Sequence, residues 1–453
     1  MKPLPLPGRF WLSARPLLDA VSTSHSLMPM LAIAALSARA LTEAALADGH
    51  QVLALDVFGD VDTQRAAAGW WPVGDVQTDG QTEGSALRIH QAPLCTGLLH
   101  AASQGAVGWI AGSGFEADLD LLQAGAAVLP LIGNPAPVWR AVRDPAQFFG
   151  CLHAAGLPHP AWQASMPTDT AGWLVKDPGS SGGSAVQHLA QWRRTGQPLP
   201  TTAYVQRLLA GQPVSLTFVA NGRRALVLGA NQQQLLGANQ QQLPAPVGDG
   251  ACAGRFADGY RPFRFGGIIG PVALPAPAEA TLHLALGVLV AHFQLRGLGS
   301  LDALLDGDQV HLLELNPRPP ASLQLYPAAA GQGVVAAHLN ACLHGRLPPA
   351  PWPTHAPLVR GLRLVHTPTM LYITSALSAQ LAAWPGVQDV PPPGTHLASG
   401  DPLCSLHCGA TSVAAVQAVL GIAQANLLRD LGIVLPTAGP LHVPATVAES
   451  LPT

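Results

Sequence analysis

The sequence predicts a chain of α/β and α+β type in three parts: a doubly wound parallel domain, a central region of antiparallel sheets, and a small C-terminal α+β domain. Three observations carry this reading. The 453 residues are too many for one ordinary core. Apolar strand-like runs alternate with helical segments over residues 27–133. A proline-rich stretch, "LPPAPWPTHAP" at 347–357, reads as a linker before the last segment, 358–453.

Residues 1–26 read as an irregular N-terminal segment. The run "LMPMLAIAALSARA" superficially resembles the apolar part of a signal peptide, but it starts late and follows the polar "STSH", so a buried first strand entering a helix explains it better. "MLAIAAL" is the strand, "SARALTEAALADGH" the helix closed by Gly49, and "QVLALDVFGD" the next strand. "GAVGWIAGSG" and "AAVLPLIG" continue the alternation. Ser37, Asp56, Asp60 and Glu116 then fall near strand ends, where open α/β sheets bind ligands, although each alone reads equally well as a turn or cap residue.

From residue 134 the chain reads as a helix, "NPAPVWRAVRDPAQFFGCLHAAGLPHPAW", then short strands: "GWLVKD", "AVQHL", "TAYVQRLLAG" and "PVSLTFVANGRRALVLGAN", the last turning at Asn221-Gly222. The unit "LGANQQQL" occurs twice in succession, at 228–235 and 236–243, too short a period for a solenoid and best read as a lengthened hairpin or loop. Residues 279–293 are helical, and "GLGSLDALLDGDQVHLLELNPRPPAS" is a strand, a tight turn, a strand and a proline stop. Beyond 357, "RGLRLVHT", "GTHLASGDPLCSLHCG" and a helical "SVAAVQAVLGIAQANLL" suggest the α+β domain.

Composition excludes several classes. The apolar content of 48% rules out disorder, and a net charge of -3 with scattered arginines gives no basic stripe for nucleic acid. No apolar run is expected to span a membrane, because Arg39 and Glu43 interrupt the best one. Six dispersed cysteines (Cys95, Cys151, Cys252, Cys342, Cys404, Cys408) make no disulfide framework, so a reducing, cytoplasmic location is expected. Cys404, His407 and Cys408 lie close in sequence, but with no second ligand cluster they read as buried or incidental rather than metal-binding.

Two stretches carry chemistry. In "SLDALLDGDQVHLLELNPRPP", Glu314 and Asn316 are two apart on one strand and share a face, and pairing across the turn brings Asp302 near it. Two carboxylates and an amide oxygen are hard ligands suited to magnesium, with Arg318 next in the alternation, able to meet phosphate oxygens. A hairpin whose acids merely pair with Arg318 is the plain alternative. In "GWLVKDPGSSGGS", Lys176 ends an apolar strand before a glycine-serine loop, and the only other lysine is Lys2. A compact ammonium beside exposed backbone amides suits phosphates, while a surface lysine before a flexible turn fits this stretch alone equally well. Neither a P-loop nor GxGxxG after a strand is present.

Lysine on a strand, a glycine-rich loop and a late "D…E-x-N-x-R" set, in that order over residues 134–330, resemble the ATP-grasp superfamily. "SARAL…LDVFGDVDT", "GSGFE", "IGNP", "FRFGGIIGP", "LELNPRPPASLQLY" and "VPPPGTHLASGDPLCSL" resemble its biotin-carboxylase-like branch of ligases and carboligases. The resemblance implies a pre-ATP-grasp domain at 27–133, an ATP-grasp domain at 134–346 with a lid at about 160–225, the linker, and the C-terminal domain. It implies that Lys176 contacts ATP phosphates, that Ser181, Gly182, Gly183 and Ser184 form the lid, and that Asp302, Glu314 and Asn316 hold Mg2+, with Mn2+ as a substitute. Arg318 would face the transferred phosphoryl group, and Tyr204, Val205 and Gln206 would line the adenine. Many relatives carry an early lysine after an aspartate, where this chain has Pro145 after Asp144, so Arg140 or Arg143 substitutes or Lys176 acts alone.

The implied reaction is ATP-dependent joining of a small-molecule carboxylate to an amine through an acyl phosphate, releasing ADP and phosphate, in a cytoplasmic enzyme compatible with a homodimer. Glutamate addition to a coenzyme precursor of one-carbon carriers is one such reaction. A bicarbonate-using carboligase and a non-catalytic ATP-binding scaffold are the alternatives. Arg264, with Gly266 and Gly267, would border the acceptor, and Arg296 and Ser322 are further candidates for an anion clamp, ordinary turn and salt-bridge duties being as good an account.

Overall fold

The computed structural model describes residues 28–77, 86–236, 263–327, 333–352 and 358–433. The irregular N-terminal segment, Cys252, nearly all of the second "LGANQQQL" copy and part of the proline-rich stretch lie outside them.

The N-terminal part is a parallel sheet in the order Gly69–Pro72, His50–Asp56, Met28–Ala34, Trp109–Ala111. Alternate residues of its strands enter two cores, Leu31, Ile33, Val52 and Ala54 on one face, Ala32, Ala34, Leu53 and Leu55 on the other. That is why these strands read as unbroken apolar runs. The helix Arg39–Ala47 ends at Gly49, whose φ of 86° only glycine adopts freely. "AAVLPLIG" departs from the expected strand. Its first residues finish the helix Asp120–Val128, and Leu131 makes a single bridge to Trp109, because Pro130 offers no N–H to a ladder. The expected helix from 134 is two, Ala136–Arg143 and Pro145–Ala154. Asp144 precedes a proline, is held extended at ψ 114°, and caps the second helix through its carboxylate.

A small antiparallel sheet follows, ordered Trp162–Gln163, Tyr204–Arg207, Trp173–Lys176, Gln187–His188. The strand Gln212–Asn221, inside the span expected for the lid, instead belongs to an eight-stranded antiparallel sheet. Its order is Gln309–Asn316, Arg296–Asp306, Gln212–Asn221, Ala225–Leu235, Phe265–Gly270, Val359–His366, Pro402–Ala410, Val387–Gln388. The sheet runs across the proline-rich stretch, so Val359–His366 pairs directly with Phe265–Gly270. The first "LGANQQQL" copy lies in the strand Ala225–Leu235.

The helix Ala276–Phe293 corrects one expectation, being long and apolar enough to cross a membrane by length and composition. Its Leu282, Ala285, Leu286, Leu289, Val290 and Phe293 are nonetheless buried against Leu216, Phe218, Leu301 and Leu315 of the large sheet. Each such leucine or phenylalanine stabilises the fold by about 1.5–3 kcal/mol on this face.

Candidate functional site

A cavity of about 1360 Å³ is walled by the small sheet, one end of the large sheet and the loops after the parallel strands. Its chemistry begins with strand register. Asp302 pairs with Glu314 and Ser300 with Asn316 across the antiparallel strands, so all four side chains share the cavity face. Leu301 and Leu315 point the other way, into the core under the helix Ala276–Phe293. Asn316 Nδ2 donates to Asp302 Oδ2 at 3.3 Å and to Ser300 Oγ at 3.4 Å. Gln233, from the repeated unit, hydrogen-bonds to Asp302 as well. Asp302 Oδ1 is buried and has no partner.

The two acids ionise unequally. Burial and then the adjacent Glu314 push Asp302 up to about 7. Burial also raises Glu314, but Lys176, Arg143 and Arg318 outweigh it and hold that carboxyl below its usual range.

Lys176 ends its strand directly opposite Tyr204. Its Nζ donates to Gln206 Oε1 at 3.3 Å and stands 6.0 Å from the Tyr204 ring centre. Burial lowers the Lys176 pKa, yet Tyr204, Glu314 and Asp302 together more than offset this, so the ammonium stays charged. Tyr204 and Gln206 line the cavity, and Gln206 Nε2 is buried without a partner. Val205, between them, turns its side chain into a separate small core with Val175 and Leu189. Only its backbone is available to the expected base.

The loop carrying Ser181, Gly182, Gly183 and Ser184 also lines the cavity and is tied at both ends. Arg143 Nε donates to Pro178 O and Nη2 to Ser180 O, both at 2.6 Å. Phe265 N donates to Gly182 O at 2.9 Å. Arg140, by contrast, points outward to Asp120 with 60% of its side chain exposed. Of the two arginines considered as stand-ins for an early lysine, only Arg143 is at the cavity.

Arg318 does not pair with the hairpin acids. Its Nε donates to Glu116 Oε1 at 2.6 Å, a contact across 202 positions of sequence that ties the parallel domain to the hairpin. Burial raises the Glu116 pKa, but Arg318 and Arg143 outweigh it and keep the carboxylate ionised, while its Oε2 accepts from Gly114 N. Ser37 and Asp60 line the cavity too, whereas Asp56 is structural, accepting from Ala38 N, Gly59 N and Trp70 Nε1.

Arg264 lines the cavity and its Nη1 donates to Gly400 O at 3.4 Å. Gly267 pairs within the sheet, Gly266 falls at a register shift in the strand, and Phe265 and Ile268 line the cavity in their place. Ser322 is at the wall but shares a hydrogen bond with Thr217 at 2.5 Å. Arg296 is placed elsewhere, its backbone N and O bonded to the Asn134 side chain near the Asn221-Gly222 turn. Cys404 and Cys408 face one side of their strand and His407 the other, and among the described residues no group of three His, Cys, Asp or Glu could hold a metal. Gln233 and Ser300 escaped the sequence reading, although Ser300 lies two residues before Asp302 and shares its face.

Residues 142–322 match the ATP-grasp domain family. The carbamoyl phosphate synthase large chain of Thermoplasma volcanium is 34% identical over 80 residues, which is 18% of this chain and only 8% of that one. N5-carboxyaminoimidazole synthase from Aspergillus clavatus, solved with ADP and 5-aminoimidazole ribonucleotide, superposes with a TM-score of 0.60 at 12% identity, covering 89% of this chain and 99% of the other. The biotin carboxylase of Campylobacter jejuni, solved as a beta-gamma-ATP complex, gives 0.61 at 11% identity over 88% and 92%. The lysine strand, the glycine-serine loop and the acidic hairpin therefore all lie within the stretch that matches the ATP-grasp domain family, in a fold shared with biotin carboxylase.

Proposed function

We propose that the protein is an ATP-dependent ligase joining a small-molecule carboxylate to an amine through an acyl phosphate. The observation that carries this reading is the convergence of two buried carboxylates, Asp302 and Glu314, on Lys176 in one cavity under the glycine-serine loop. Such a pair is costly without a cation: Asp302 stays protonated to about pH 7 and its Oδ1 lacks a partner. A divalent ion would answer both needs, with Asp302, Glu314 and the Asn316 amide oxygen as donors, which suits Mg2+ and also Mn2+. Once bound, it would neutralise charge on phosphate oxygens.

The remaining roles fall to this chain's own groups. Lys176 offers a compact charge to phosphate oxygens, and Arg143 stands where an early lysine is missing. Ser181 to Ser184 would cover the phosphates with backbone amides and keep water out. Tyr204 and Gln206 would flank the base, with Val205 adding backbone contacts. Arg318, oriented by Glu116, would face the migrating phosphoryl group, and Arg264 the acceptor end. Small-molecule partners, a cytoplasmic location and a homodimer belong to the same proposal, as does the narrower reading of glutamate added to a coenzyme precursor.

A bicarbonate-using reaction is the second reading, favoured by the carboxylating enzymes that share the fold. The scaffold reading rested on the missing lysine, and the position of Arg143 on the cavity wall weakens it. The test is ADP formation with Mg2+ across carboxylates, amines and bicarbonate, for wild type and Lys176→Ala. Amine- and carboxylate-dependent ADP release lost in the variant supports the ligase. Equal product from both proteins overturns the site, and release that needs bicarbonate but no amine selects the carboligase.

A further inference from the structure

We propose that the Asp60 end of the cavity holds a second, protonated nitrogen of the acceptor, so that the amine substrate is a diamine or another dibasic compound. This rests on the ligase reading of the cavity and deepens it. Asp60 lines the cavity, is 5% exposed, and its Oδ2 has no hydrogen-bond partner. The charges crowding it are Asp389, Asp56 and Asp62, opposed by Arg39.

These neighbours are already engaged. Asp56 accepts three donors from its own domain. Asp62 accepts from Asp389 N at 2.7 Å and Val390 N at 3.1 Å. Asp389 accepts from Arg39 Nε at 2.6 Å and from the Ser405 hydroxyl. Arg39 is 1% exposed and spends its donors on Asp389, Glu43, Gln388 and Gln324. Asp60, which lines the cavity, is thus left with a buried acceptor that no protein donor meets, and a buried carboxyl oxygen without a donor is destabilising unless a ligand supplies one.

The surroundings select the ligand's chemistry. The carboxylates of Asp60, Asp56, Asp62, Asp389 and Glu43 around the Arg39 guanidinium disfavour an acidic group, and among the described residues no group of three His, Cys, Asp or Glu is placed to hold a metal. An organic ammonium needs only a carboxylate and room, and both are present. A nitrogen that pairs with Asp60 keeps its proton and its lone pair is unavailable. The attacking amine must be a second nitrogen, unprotonated, at the Lys176 and Arg318 end.

The experiment compares 1,4-diaminobutane with 1,4-butanediol, the same chain without an ammonium. Binding is measured by calorimetry without nucleotide, on the full chain, for wild type, Asp60→Asn and Lys176→Ala. Wild type is expected to favour the diamine by about tenfold, and Asp60→Asn to erase that preference. The variant should also melt at a higher temperature, since Oδ2 loses no hydrogen bond and a buried carboxyl crowded by other acids is replaced by a neutral amide. No preference in wild type for any diamine from propane to hexane length, a preference retained in Asp60→Asn, or a lower melting temperature would each overturn the proposal. Because binding needs no ATP, Lys176→Ala should keep the preference. In wild type, a diamine preference without any ligase turnover would defeat the ligase reading and leave the ammonium site standing.

Discussion

Asp302 and Glu314 face each other directly across two antiparallel strands, and the pair shares one proton. Asp302 is raised to about 7 by burial and by Glu314, so the free protein carries that proton at mildly acid pH and sheds it above neutrality. Mg2+ titrated at about pH 6 should displace close to one proton, and at about pH 8 very little. Calorimetry in buffers of different ionisation enthalpy reads this directly, and release independent of pH would contradict the shared site.

The same shift sets a pH dependence of stability. The folded pKa of Asp302, about 7, lies above the ordinary 3.8, so between these values the folded protein holds a proton that the unfolded chain has lost. This contribution is fully present below the unfolded value and is lost as pH rises through about 7, at roughly 1.4 kcal/mol per pH unit. Asp302→Asn removes it. Denaturant midpoints should show the variant more stable than wild type at about pH 8 without metal, the gap closing toward pH 4, and Mg2+ should stabilise wild type alone.

Glu116 and Arg318 form a buried pair, with 2% and 12% of their side chains exposed. Glu116→Gln leaves a guanidinium buried beside a neutral amide, which is expected to cost about 3 kcal/mol in chemical denaturation. The Glu116 pKa is lowered, so this stabilisation is present above its unfolded value of 4.5 and disappears as pH falls through the lower folded value. A loss of similar size at all pH values would mean that packing, not charge, holds the two domains' loops together.

Lys176→Ala should lower nucleotide turnover by about 10²-fold or more, in line with the loss of one electrostatic group at a phosphate. Lys176→Arg should not restore it, because Tyr204, Gln206 and Glu314 close around a point charge and leave no planar fork of acceptors. Full activity in the arginine variant, measured as ADP release, would place the phosphates elsewhere.

Much of this site is legible because it depends on local alternation. Glu314 and Asn316 share a face by strand geometry, and Lys176 ends an apolar strand before glycines, so each can be read within a dozen residues. What is not legible depends on how distant elements pack. Arg140 and Arg143 are both in the last turn of one helix, and only the docking of that helix decides that Arg143 meets the loop at Pro178 and Ser180. Arg318 chooses Glu116, from another domain, over the acids beside it in sequence. The proline-rich stretch reads as a domain break, yet a sheet edge continues past it because Phe265–Gly270 still has unpaired backbone to offer Val359–His366. Pro130 shortens an apolar run that composition alone favours as a strand.

Gly182 and Gly183 look interchangeable in sequence but not in space. Both have positive φ, 62° and 72°, so alanine at either costs about 1 kcal/mol in backbone strain. A methyl group on Gly182 would meet nothing nearer than 4.0 Å, whereas on Gly183 it would lie 2.0 Å from the Phe263 carbonyl oxygen, which is backbone and cannot swing aside. Gly183→Ala must therefore push the loop off the Phe263–Phe265 segment and break the Phe265 N to Gly182 O hydrogen bond. Gly182→Ala can keep it. If this contact closes the loop over phosphates, Gly183→Ala should weaken binding of a non-hydrolysable ATP analogue by about tenfold and speed proteolysis at residues 178–184, while Gly182→Ala changes either by no more than about twofold. Equal effects from the two substitutions would show that backbone strain alone matters and that the contact with Phe263 has no part in closure.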